Sequence, residues 1–201
     1  FMLSIVIAIF LLLVINFGNG ILIRNILRGD EQGFVQISFF GIIGITLFET
    51  ICAFFFPLNH LVESAIIGSG LIGFALFWIT KKTFVFRIKL DFWFYFFFFF
   101  FIFTASFSPY LYDYFSYYLP TISYLKDIGF VKGISNLDLL LGQSSFWHIY
   151  QAGFSHFVDP FLKINTYLSV LFLIYIYEKK QYFLLIFLPI FLLFVQQPSP
   201  D

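Results

Sequence analysis

Asp113 stands just past "FWFYFFFFFFIFTASF", an uncharged apolar run, and is followed within five residues by Tyr114, Phe115, Tyr117 and Tyr118. A carboxylate at the boundary between hydrocarbon and water is partly desolvated. That raises its proton affinity and makes it a better general base. The aromatic rings beside it can hold a helix at that depth and offer faces on which a ring-shaped substrate stacks. Asp113 is therefore the candidate catalytic residue, acting on a hydroxyl that arrives from the aqueous side. It is equally well placed to cap a helix at the interface.

Other residues invite weaker readings. His148, His156 and Asp159 are metal-ligand types, but histidines eight apart do not share one helix face as an i, i+4 pair does. Either histidine can still shuttle a proton or bond a substrate hydroxyl. Glu49 lies about two turns inside an apolar stretch, where a carboxylate marks function by default, yet it is near enough to an end to snorkel. "GIIG" at 41–44 and "GSGLIG" at 68–73 read as surfaces for close helix packing.

The elements that carry these residues follow from composition. The chain has 201 residues, 61% hydrophobic and 11% charged, with zero net charge. Soluble domains carry about 25% charge, so this is the composition of an integral membrane protein, and nothing in it suggests a nucleic-acid partner. The single Cys52 allows no internal disulfide. The 35 phenylalanines are read as lipid-facing surface rather than as a specialised aromatic face.

A helix needs about 20 apolar residues to cross the hydrocarbon layer. The uncharged windows predict an all-α, polytopic transmembrane helix bundle of about six spans: 1–23, 34–56 with Glu49 inside, 61–80 with Glu63 near its start, 92–107, a short 164–177, and 181–195. The last two are short enough to form a helical hairpin instead. Alternate connections are basic, namely "RNILRGDE", "KKTFVFRIKLD" and "EKK". The positive-inside pattern then places 24–31, 81–91 and 178–180 in the cytoplasm and Asp113 outside. Residues 1–107 form spans one to four, 108–163 an extracytoplasmic loop, and 164–201 the last two spans. Both ends fall inside or just beyond apolar runs, so the chain reads as a fragment of a larger multi-pass protein.

Within the loop, Phe115, Tyr118, Leu119, Ile122 and Leu125 recur at helical spacing. They predict an amphipathic surface helix over 113–128, kinked or restarted at Pro120 and stopped at Gly129. Ser144 or Ser145 is the expected N-cap of a second surface helix over 144–157.

This arrangement resembles the GT-C superfamily of membrane glycosyltransferases. The matching residues are Asp113, Tyr117, Tyr118, Leu119 and Pro120, then Gly129, Val131, Gly133, Asn136 and Leu137, then Ser144 and Ser145. The resemblance covers 105–160, about a quarter of the chain. It implies a bacterial inner-membrane enzyme that transfers a sugar from a polyprenyl-phosphate donor, with membrane lipids around it, in cell-envelope polysaccharide or glycolipid synthesis. In that reading Asp113 is the general base, Lys126 and Lys132 hold the departing phosphate as point charges, and Tyr117, Tyr118, Asn136 and His148 bind substrate. No cofactor is required, and a divalent metal is compatible with the sequence but unsupported by it. The alternative is a multi-pass transporter or flippase for lipid-linked glycans, which would carry charged or broken helices in matching halves. Only Glu49 lies deep.

Overall fold

The computed structural model describes residues 2–27, 33–80, 90–109, 114–136, 144–193 and 195. Among these there is helix and turn but no strand. Among the described residues, helices α1 (Met2–Leu27), α2 (Phe34–Phe55) and α3 (His60–Ile79) are the three long and apolar enough to cross a membrane. The other expected spans fall on shorter pieces. Helix α4 (Phe92–Ala105) has 14 residues. The expected sixth span is not one continuous α-helix: it is a 3₁₀ helix, Tyr182–Phe187, followed by four α-helical residues containing Pro189. Proline supplies no N–H to continue the ladder.

Small residues bring α1 against its neighbours. A Cβ on Gly18 would collide with the carbonyl of Gly70 on α3, and one on Gly41 of α2 would collide with the carbonyl of Asn16. The expected packing surfaces are thus used at Gly41, Gly70 and Gly73, whereas Gly68 faces open space. Asn19 fastens the α1–α3 seam, donating to the Ile66 carbonyl at 3.2 Å and accepting from Ser69 Oγ at 2.8 Å.

The loop begins with a π-helix, Tyr114–Tyr118, running into α5 (Leu119–Asp127), then α6 (Phe146–Gly153) and a turn to α7 (Ile164–Lys179). The wide π turn lies just upstream of Pro120, whose ring would crowd the carbonyl four residues back in a regular helix. Gly129 does stop α5. Its φ of +86° is open to glycine, and a side chain there would press on the carbonyls of Ala53 and Phe56. Eleven of the 16 residues of α7 are buried, so this short helix runs through the interior.

Two ends can be told apart by their bonds. At one, Glu178 of α7 accepts the N–H groups of Phe34 (2.6 Å) and Val35 (3.2 Å) at the start of α2. Tyr177 donates to Asp91, the N-cap of α4. The residues flanking all three basic connections therefore share this basic end. At the other end, the loop end, Leu58 donates to the Leu125 carbonyl at 3.0 Å and Phe130 to the Ala53 carbonyl at 2.8 Å, so α5 sits on the α2–α3 connection.

The expectation of two surface-lying loop helices needs one correction. Helix α5 buries one face only, through Thr121, Ile122 and Leu125. Helix α6 is not at the surface: six of its eight residues are buried, and it packs against α2 and α5. It also ends at Gly153 rather than 157. The N–H groups of His156, Phe157 and Val158 turn to the Glu63 carboxylate instead of continuing the helix.

Candidate functional site

Polar side chains from six elements converge beneath the loop, and they fall into two groups. The first surrounds Asp159, in the turn between α6 and α7. Asp159 is buried and accepts the backbone N–H groups of Phe161 and Lys163. Burial pushes its carboxyl up to about 6. Those N–H groups and the Lys163 ammonium pull against that rise, while the Glu63 charge adds to it. The Lys163 side chain is also buried, and its Nζ donates to the Phe107 carbonyl at 3.2 Å. Burial lowers its proton affinity, and the Asp159 charge only partly restores it. For both partners desolvation outweighs mutual attraction. Tyr114 lies within the field of Asp159, and burial followed by that negative charge raises its phenol. Within the same turn Leu162 adopts a φ of +55°, a left-handed conformation costing about 1–2 kcal/mol in a residue with a Cβ.

The second group runs inward. Tyr150 of α6 donates to Asn16 Oδ1 of α1 at 2.9 Å, while the buried hydroxyl of Tyr167 on α7 has no hydrogen-bond partner among the described residues. The Asn16 amide returns a bond to Leu12 O at 2.8 Å. Trp147 stacks on Tyr150 and donates to Asn165 Oδ1 at 2.9 Å. Glu49 of α2 lies under Gly153, so close that a Cβ there would collide with the carboxylate. It is fully buried, and neither of its oxygens has a hydrogen-bond partner among the described residues.

His148 links the loop elements. Ser145 caps α6 by accepting the His148 N–H at 3.3 Å, while the Ser145 N–H donates to His148 Nδ1 at 3.2 Å. Nδ1 is therefore an acceptor, and the neutral ring carries its proton on Nε2. The ring packs against Tyr117 and Tyr118, with centroids 5.5 and 5.4 Å away.

Of the residues singled out in the sequence, the fold brings Tyr117, Tyr118 and His148 together. Asp113 and Leu137 lie outside the described residues. Lys132 and Asn136 are exposed on the turn beyond Gly129, and Lys126 is half-buried in the last turn of α5. His156 and His148 serve different neighbours: His156 Nε2 lies 3.2 Å from the Leu58 carbonyl. Beside α5 is a cavity of about 200 Å³ lined by Thr121, Tyr124, Phe130, Ile134 and Ser144 among others. The buried Thr121 hydroxyl has no partner among the described residues.

Sequence reasoning passed over Asn16, Glu63, Tyr150, Lys163 and Tyr167 as site residues, read Tyr114 only as a stacking face beside Asp113, and weighed Asp159 only as a metal ligand. The signal available for Asn16 and Glu63 was a polar residue inside an apolar span. For Tyr150 and Lys163 no local pattern points inward.

Comparison with known proteins adds a family and no neighbour. No curated protein and no solved structure matches the chain. A family model described as a domain of unknown function, DUF8201, matches residues 2–201. The helices, the loop and the buried polar groups all lie within that match, and the chain belongs to the DUF8201 family.

Proposed function

We propose that this protein is a GT-C-type glycosyltransferase of the bacterial inner membrane. It moves a sugar from a polyprenyl-phosphate donor to an acceptor hydroxyl at the loop end, which faces away from the cytoplasm. The observation that carries the reading is the pairing of buried Asp159 and Lys163 beside Tyr114, the residue next in the chain to Asp113.

Sugar transfer from a lipid phosphate needs a base for the acceptor proton, positive charge for the departing phosphate, and exclusion of water from the reacting centre. Asp113 is the proposed base. Asp159, whose carboxyl titrates near 6, is suited to pass protons at neutral pH. Lys163 is a better phosphate partner than half-buried Lys126 or exposed Lys132, because a more desolvated ammonium attracts an anion more strongly. The cavity beside α5 offers hydroxyls, two aromatic rings and no charged side chain among its lining residues, which suits a neutral, hydroxyl-rich acceptor.

The test is transfer by purified protein in lipid nanodiscs from a defined polyprenyl-phosphate sugar. Asp113→Asn should lower the rate by about two orders of magnitude or more while donor binding is kept, since Asn still caps a helix. Near-normal transfer by that variant would end the assignment of the base. No transfer by the unsubstituted protein from any polyprenyl-phosphate sugar would end the reading.

A further inference from the structure

The most unusual group in the molecule takes no part in the reaction just described. Glu49 is 0% exposed, and both carboxylate oxygens lack a hydrogen-bond partner among the described residues. A buried ion survives only when paired or well hydrogen-bonded. The surroundings supply the opposite of a counter-ion. Helix α6 ends at Gly153 directly against the carboxylate, and no N–H of the described residues bonds to it there. The titratable groups in electrostatic reach are Glu63 of α3, Cys52 one turn along α2, and Tyr150 of α6. Of the described charges on α1 and α7, Arg24, Glu178 and Lys179 lie toward the basic end. Lys163, ahead of α7, is turned to the Phe107 carbonyl and Asp159.

We propose that Glu49 is a proton-binding site, occupied at neutral pH, and that the bound proton is what seats α6 against α2. The neutral acid is tolerated beneath the end of α6, whereas the anion would leave an unpaired charge there. Loss of the proton then drives α6 away, breaks the Tyr150–Asn16 bond and admits water to the layer between α1, α2 and α7. This proton site does not depend on the sugar-transfer reading and holds equally for a transporter.

Two readouts on the intact protein test it. Dicyclohexylcarbodiimide is an apolar reagent that adds to protonated carboxyls, and its adducts can be mapped by peptide mass spectrometry. Glu49 should label at about pH 7, where an ordinary glutamate is ionised. Cys52, the only cysteine of the chain, is buried one turn from Glu49 and reports the opening. Between about pH 7 and 10 its reaction with a maleimide should rise at least about tenfold more in the unsubstituted protein than in Glu49→Gln, which has no proton to lose. Absence of a Glu49 adduct at neutral pH would overturn the proposal. So would superimposable thiol profiles, or labelling suppressed by sodium or potassium ions, which would mean a bound cation in place of the proton. The carbodiimide arm needs only the unsubstituted protein, so it decides the matter even if the variant does not fold.

Discussion

Glu63 Oε1 lies 2.8 Å from the backbone nitrogen of Val158, 95 residues further along the chain. With its second oxygen the same carboxylate takes the N–H groups of His156 at 2.9 Å and Phe157 at 3.0 Å. One side chain on α3 thus organises the turn that carries Asp159. Hydrogen bonds to a charged group contribute about 1.5–3 kcal/mol each. Glu63→Ala should therefore destabilise the protein by about 3 kcal/mol or more, measured by thermal unfolding in detergent. Glu63→Gln, which keeps one acceptor oxygen, should cost less.

Asp159 makes stability depend on pH. Its carboxyl titrates near 6 in the fold against an ordinary value of 3.8, so the folded state holds the proton more tightly than the unfolded chain does. The stabilisation is fully present below about pH 3.8 and is lost as pH rises through about 6. That interval corresponds to about 3 kcal/mol. Unfolding temperatures measured across it should fall with rising pH and flatten beyond it. Asp159→Asn, which can still accept the Phe161 and Lys163 N–H groups, should remove this part of the slope. An unchanged slope in the variant would assign the pH dependence elsewhere.

Asn16 and Tyr150 form a buried pair, and variants of the two should rank unequally. Tyr150→Phe removes one bond, and side-chain hydrogen bonds within membrane bundles average about 0.6 kcal/mol. Asn16→Ala removes the bond from Tyr150, leaves that buried hydroxyl to find a new partner, and opens a small cavity beside it. It should cost at least twice as much in the same unfolding assay. Equal costs would mean that the freed Tyr150 hydroxyl finds another partner.

Helix contacts at glycine should be intolerant of volume. Gly18→Val pushes a side chain into the Gly70 backbone of α3, where no flexible group can yield. It should lower the yield of folded protein sharply, whereas Gly68→Val, facing open space, should express normally. Similar yields would argue that α1 and α3 are not packed through this seam.

Orientation is checked by thiol labelling in a Cys52→Ser background. A cysteine at Ser135 should react with an impermeant reagent in intact spheroplasts, and one at Thr83 only after lysis. The reverse pattern would invert the proposed topology.

Much of the helical layout was legible because long apolar runs and their caps are local properties. Phe34–Phe55 and His60–Ile79 lie within a residue of the windows counted from charge, and Ser145 and Gly129 punctuate the loop as expected. The short helices were harder. Buried α7 spaces its polar residues, Asn165, Thr166 and Ser169, among apolar ones, and so reads as a weak span. The candidate site was legible only where neighbours in sequence are neighbours in space, as with Tyr117 and Tyr118. His148 joins them from another element. Glu63 with Val158, and Asn16 with Tyr150, are pairs that only tertiary packing defines. The inward placement of α6 was hidden because a short helix mixing polar and apolar residues reads the same on a membrane surface as in a polar interior.

The Glu178 clasp on the first turn of α2 has a consequence for how the protein is made. Phe34 and Glu178 are 144 residues apart. At a synthesis rate of about 5–20 residues per second, α2 waits roughly 7 to 30 seconds before its start is capped. Asn16 waits nearly as long for Tyr150. The early helices must therefore enter the bilayer as an incomplete bundle, with polar groups open at the basic end and along α1. That gap falls when insertion machinery or neighbouring lipid has to stand in for the missing half. Chain release before Glu178 would leave a bundle that is inserted but unlocked, and a natural target for membrane quality control.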